Sequence, residues 1–325
     1  MLVNRRVFFK KVFNAFIALN FFKLNTLKNF LADISSIQKR YKKAKVFIIR
    51  RKNKIYNKKA FLDMLNESII DWSRLFNKND VVGIKVNAIA GPSLSSNPEL
   101  VEAIIECLKL TGIQENKIII WDRTTRELKQ SGFKINESQA GVRCFGTDSS
   151  LAGYDEAITI SGEIGSCFSR IVTDLCTALI NVPVLKDHDL AGISLSMKNY
   201  YGAIHNPNKY HGNNCSPYVA DICAVDILRK KTKLVICDAI TAQFHGGPGY
   251  KQQWAWEYGG IIISEDMVAI DSVGTHIIEG KRKSEKLQSL KDEKRFPGYL
   301  KVAADKEHNI GISDLNNIEI IEKWI

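Results

Sequence analysis

The 325-residue sequence contains no C-x-x-C pair, no G-x-S-x-G, no G-x-x-x-x-G-K-[ST] and no G-x-G-x-x-G. Those absences remove the usual grounds for a ferredoxin-type iron–sulfur site, a zinc ribbon, a nucleophile-elbow hydrolase, a P-loop hydrolase or a dinucleotide turn. Acidic residues are nearly missing from the first 60 positions, where 17 Lys and Arg stand against Asp33 alone. The remainder carries 29 Lys and Arg against 34 acids, so the net charge of +11 belongs to the N-terminus and the body is slightly acidic. A duplex-binding groove needs its positive charge on the folded body, so nucleic acid is not an expected partner.

The basic stretch, residues 1–43, reads as a leader. It opens "NRRVFFKK", and the adjacent Arg5 and Arg6 followed by Phe8, Phe9 and Lys10 resemble a bacterial twin-arginine export signal. The apolar run behind it, Val12 to Phe22, is broken by Asn14 and Asn20 and is shorter than the roughly 18–20 residues that span a bilayer. No small-x-small cleavage site follows clearly. The expectation is a periplasmic or membrane-associated protein, with contact between the leader and a membrane surface. A basic amphipathic helix on a cytoplasmic protein is the plainer alternative.

From residue 44 onward, apolar strands alternate with amphipathic helices. Strands are expected at 44–50, 80–87, 117–122, 178–186, 233–239 and 259–265, and helices over 61–76, 98–111, 217–230 and 267–279. The stretch "NPELVEAIIECLKLTG" has a full set of boundary signals: Asn97 as N-cap, Pro98 in the first turn, Glu99 near the positive end and Gly112 as terminator. Continuous apolar strands between helices predict an α/β fold, with a mostly parallel sheet flanked by helices and strand-end loops forming one cleft. One domain over 44–325 is expected, which two lobes, about 44–175 and 176–325, would subdivide. The charged segment 281–295 reads as a linker with a solvated surface.

Ligands of parallel sheets sit beyond the carboxyl ends of the strands. Those ends hold Lys85 and Asn87, Asp122, then Lys186 with Asp187 and His188, and lastly Asp238 ahead of "QFHGGPG" with His245, Gly246 and Gly247. Polar strand ends are ordinary where a sheet meets solvent. Lys85 between Ile84 and Val86, and Lys198 after "AGISLSM", are less ordinary: a lysine in such a frame either snorkels or holds an anion. Backbone N–H groups at the helix start Ser96–Asn97 would add donors to the same anion. Next comes "KNYYGAIHNPNKYHGNNC", which crowds Lys, His, Tyr, Asn and Cys into a stretch broken by Gly202, Pro207 and Gly212. His205, His211 and Cys215 have donor types suited to a transition metal, although their spacing matches no closed zinc pattern. Loop histidines are more often plain hydrogen-bonding groups. Of the seven cysteines, Cys107 and Cys237 lie in apolar runs and read as buried hydrophobes, whereas Cys215 lies among polar residues.

Five pieces in order, "GIKVN", "NPELVEAIIECLKLTG", "VPVLKDHDLAGISLSMKNYYGAIH", "DAITAQFHGGPG" and "SEDMVAIDSVG", resemble the domain-of-unknown-function 362 family over about residues 80–280. The resemblance brings no reaction with it. It implies that "KNYYGAIH" and the loop after it are a site, and it carries over Lys85, Lys186, Lys198, Asn199, Asp238 and the "GGPG" loop. His205, His211 and Cys215 come with them. Some members append a four-iron–four-sulfur segment, whose motif this sequence lacks. The expected function is an extracytoplasmic enzyme, redox or metal-assisted, acting on a small anionic molecule. In it Lys85, Asn87, Lys186, His188, Lys198, Asn199, His245, Gly246 and Gly247 bind substrate, and His205, His211 and Asp238 act in catalysis. His205, His211 and Cys215 would hold any metal, and the cofactor is otherwise unspecified. The rival is a non-catalytic, membrane-associated protein that binds a ligand or metal with the same loops.

Overall fold

The computed structural model describes residues 43–325, so the leader, with its twin-arginine reading and membrane contact, lies outside the described residues. In chain order the strands are β1 (Ala44–Arg50), β2 (Val82–Val86), β3 (Ile118–Trp121), β4 (Arg143–Cys144), β5 (Thr159–Ser161) and β6 (Ile164–Ser166). Then come β7 (Ala178–Val182), β8 (Val184–His188), β9 (Gly192–Ser194), β10 (Thr232–Gln243), β11 (Ala255–Ser264) and β12 (Ile318–Trp324). The α-helices are α1 (Lys58–Glu67), α2 (Trp72–Leu75), α3 (Pro98–Leu110), α4 (Thr125–Gln130) and α5 (Ser196–Asn199). They continue as α6 (Tyr218–Ala224), α7 (Asp226–Lys231), α8 (Met267–Ser284) and α9 (Tyr299–Ala303).

The main sheet runs β12-β1-β11-β10-β7-β2-β3-β4, with β8 and β9 branching from β10. Along that path β11 pairs antiparallel with both neighbours, and the other pairings are parallel. Strand periodicity sends alternate residues to opposite faces. Accordingly Ile84, Ile120, Ile180 and Ile236 join one core with Phe61 and Met64 of α1 and Ile104 and Leu108 of α3. Ile119, Leu179, Val235 and Ile262 join the other, with Val268 and Val273 of α8 and Ile222 of α6. Apolar residues fill both faces of the central strands, which is why those strands read as unbroken apolar runs. Residues Ala44–Ile325 form one compact unit, so a boundary near residue 175 would fall inside the sheet.

Helix α3 forms as its boundary signals require. Asn97 Oδ1 accepts the Glu99 N–H, Pro98 opens the helix, and Gly112 follows it at φ +87°. Three expected elements are broken instead. The run 178–186 divides at Pro183, which has no N–H for the ladder. β7 stays between β2 and β10, while β8 turns off to pair with β9. The helix expected over 61–76 ends at Ser68 and restarts with Asp71 Oδ1 accepting the Arg74 N–H. The helix expected over 217–230 is interrupted at Val225, whose ψ of 123° is extended. Among the described residues no helix is long and apolar enough to cross a membrane.

Candidate functional site

A cavity of about 340 Å³ opens at the carboxyl ends of β2, β3 and β8, lined by Lys85, Asn87, Asp122, Arg123, His188, Lys198, Asn199, Tyr201 and His211, among others. Lys85, one residue before the end of β2, is buried, with Nζ donating to Asp122 Oδ1 at 2.6 Å, the Val86 carbonyl at 2.8 Å and Asn199 Oδ1 at 3.3 Å. Burial pulls its pKa down, and the Asp122 carboxylate opposes that pull. Gly202 crosses directly above this pair: a Cβ there would lie 2.9 Å from Asp122 Oδ1 and 3.0 Å from Lys85 Nζ, so a side chain would displace the ion pair.

Behind Lys85 runs a buried amide chain. Lys186 Nζ donates to Asn87 Oδ1 at 2.7 Å, Asn87 Nδ2 to Asn199 Oδ1 at 3.0 Å, and Asn199 Nδ2 to Asn181 Oδ1 at 2.8 Å. Asn181 Nδ2 then donates to the Ser196 carbonyl at 2.7 Å. Lys186 is fully buried, and burial lowers its pKa to about 7. The chain fixes the two amides that face the cavity, because every donor and acceptor in it is committed in one direction.

Lys198 differs. It lies on α5, whose first turn is held by Asp271 of α8: Oδ1 accepts the Ser196 N–H at 2.8 Å and Oδ2 the Met197 N–H at 3.1 Å. Lys198 Nζ meets His211 Nε2 at 3.0 Å and sits 3.5 Å from the Tyr201 ring centroid, with no ion pair among the described residues. Burial lowers its pKa to about 8. His211 Nδ1 faces the Pro207 carbonyl at 3.2 Å, so the Nδ1–H tautomer donates there and leaves Nε2 to accept from Lys198. Burial, then the charge of Lys198, pull the His211 pKa down and keep it neutral. His188 stacks on His211 with ring centroids 5.7 Å apart. Its Nδ1 accepts the N–H groups of Leu190 and Ala191, both at 3.2 Å, so the ring proton resides on Nε2. Asp189 Oδ1 lies 3.1 Å from that Nδ1 because both accept the Leu190 N–H, and burial pushes the His188 pKa down to about 2. No protein acceptor takes the Nε2–H among the described residues.

Of the sequence-expected residues, Lys85, Asn87, His188, Lys198, Asn199 and His211 therefore meet at one cavity, and Lys186 stands directly behind Asn87. The others do not line it. His205 is exposed against Tyr154, with ring centroids 5.2 Å apart. Cys215 is fully buried rather than presented by a polar loop, and burial raises its thiol pKa. Asp238 accepts the Asn97 N–H at 2.8 Å and the Ile240 N–H at 3.0 Å, so it, and no ligand, occupies the start of α3. Gly247 packs against β8, where a Cβ would meet the Asp187 carbonyl oxygen at 1.8 Å, and its N–H donates to Asp187 Oδ2 at 3.1 Å. His245 Nδ1 lies 3.1 Å from Arg282 Nη1, and Gly246 sits over Trp254. Only Pro248 of that loop reaches the cavity.

The metal expectation does not fit these donors. No group of three or more His, Cys, Asp or Glu is placed to hold a metal ion among the described residues. His205 is apart, both His211 nitrogens are engaged, and the Cys215 thiol is held protonated. The expectation for 281–295 is also corrected. Arg282 is fully buried and Arg295 nearly so, because Arg295 Nη1 pairs with the buried Asp187 at 2.5 Å and Glu293 bridges both arginines at 2.5 and 2.6 Å. Sequence reading also passed over Asn181, a polar residue inside the apolar "ALINVPV" and thus a visible signal, and the contact of Asp122 with Lys85.

Fold and cavity together define an α/β protein with lysines and neutral histidines gathered at the carboxyl edge of its sheet. The chain belongs to the family described as Domain of unknown function (DUF362), whose profile matches residues 82–276. No curated protein matches the sequence. A crystal structure of a Thermotoga maritima protein is similar at 10% identity and a TM-score of 0.39, over 71% of this chain and 59% of that one.

Proposed function

We propose that the protein is an enzyme that binds a small anion, a carboxylate or phosphate, in this cavity and transfers a proton on it. The observation that carries the reading is Lys198, a buried cation facing the cavity with a neutral imidazole as its polar partner and no carboxylate within ion-pair range. Asp189 on the cavity wall acts on Lys198 from beyond ion-pair range, so the buried cation has no direct counter-charge and favours an anionic ligand. The His188 Nε2–H is a second donor beside it, whereas Arg123 at the rim is paired with Glu127 at 3.0 Å. Asp122 compensates Lys85, so that lysine orients the amides and holds little charge in reserve. For the proton step, a lysine near pH 8 beside a neutral His211 is matched to operation near neutrality.

Isothermal titration of the full chain with sulfate and with inorganic phosphate tests the reading. Wild type should bind both, and Lys198→Gln should weaken binding about tenfold or more, the usual loss for a charge-assisted hydrogen bond. Equal binding by the variant, or none by wild type, rejects the anion site. Binding without turnover of any small oxo or hydroxy acid would favour the non-catalytic rival.

A further inference from the structure

We propose that Lys198 is an amine nucleophile that forms an imine with an aldehyde or ketone carried by the anionic ligand. The inference rests on the anion reading above and adds the class of substrate. Three lysines reach this region, and their surroundings sort them. Lys85 spends its donors on Asp122, the Val86 carbonyl and Asn199. Lys186 is fully buried behind Asn87 and has no cavity surface. Lys198 lines the cavity, and its nitrogen meets an aromatic face on one side and His211 Nε2 on another.

Attack on a carbonyl needs a neutral amine and a group that accepts and returns a proton. Burial already lowers the Lys198 pKa to about 8, so a fair share of the amine is neutral near pH 7–8. His211 Nε2, 3.0 Å away, is the acceptor, because its Nδ1–H is committed to Pro207. The Lys198 lone pair forms the C–N bond while the carbonyl π pair moves to oxygen. One N–H proton passes through His211 Nε2 to that oxygen. The C–O bond then breaks, and the hydroxyl leaves with the second N–H proton as water, giving C=N. No oxidant or reductant enters the balance.

The test uses the full chain with glyoxylate and, separately, pyridoxal 5′-phosphate as anionic aldehyde probes, borohydride reduction, and peptide mass spectrometry. The expected result is an adduct at Lys198 forming about tenfold or more faster than at Lys230, whose side chain is 70% exposed, and suppressed by sulfate. Lys198→Arg, which has no nucleophilic amine, should lose the adduct. Labelling confined to exposed lysines, or no labelling by either probe, overturns the imine. If sulfate still binds in those cases, the anion reading stands and the nucleophile alone is rejected. If sulfate does not bind wild type, the anion reading itself has failed.

Discussion

Lys85, Lys186 and Lys198 bring the same side chain into one small region, yet each meets a different environment. A carboxylate holds the first, neutral oxygens the second, and an imidazole with a phenol ring the third. A pH prediction follows for the third, which alone of the two buried lysines with a neutral surrounding faces the cavity, Lys186 losing its charge at about 7 behind Asn87. Lys198 titrates at about 8, below its free value, so its charge is present beneath that pH and lost as pH rises through it. Sulfate keeps its own charge throughout, so its affinity should hold below pH 7 and fall above pH 8 by up to about tenfold per unit. Aldehyde labelling of Lys198 should move the opposite way, rising through the same interval. Parallel pH profiles in titration and labelling would separate the residue from both roles. In the sequence, Lys85 and Lys198 stood out because each charge sits in an apolar frame. His205 and Asp238 were chosen by the same rule of polar strand and loop ends, which cannot tell a side chain facing a ligand from one closing its neighbour's backbone.

Elements decide that difference. Asp238 belongs to β10 but does its bonding on α3, where it takes the Asn97 N–H, and on Ile240. Asp238→Ala would leave two part-buried N–H groups without acceptors, one at the start of α3 and one in β10, a loss on the order of 1–3 kcal/mol. Chemical denaturation should report it, and protein still folded should bind sulfate within about twofold of wild type. Loss of binding without loss of stability would return Asp238 to the site. Most element positions were legible, because apolar runs and cap residues are local signals: α3 begins and ends where Asn97, Pro98 and Gly112 place it. The division at Pro183 was also present in the sequence as a proline inside a strand pattern. Its effect was not legible, since branching from β10 requires a second partner, and β9 is supplied only by the residues that follow.

At the scale of the whole molecule, the segment after α8 closes the back of the site. Arg295 reaches Asp187 and the His188 carbonyl, and Asp187 also accepts from the loop that brings Pro248 to the cavity. Removing one partner of a buried ion pair strands the other charge, at a cost of about 3–5 kcal/mol. Arg282 Nη1 remains 4.0 Å from Asp187 Oδ1, so Arg295→Met should lower stability by less than that, and it should weaken sulfate binding because His188 loses its support. Adding Asp187→Asn should recover part of the stability, as a double-mutant cycle in urea would measure. Additive losses would mean the pair is not coupled. Composition alone gave no warning here, since "KRKSEKLQSLKDEKR" looks like a solvated run until Asp187, about a hundred positions earlier, is placed beside it. The sheet carries one more consequence, in time. β1 lies between β11 and β12, and both are made long after it. At about 5–20 residues per second, a ribosome takes about 10–40 s to reach Ala255 after finishing Arg50. Throughout that interval the apolar "VFII" of the nascent chain has neither strand neighbour and presents the kind of unpaired edge that can pair with another chain.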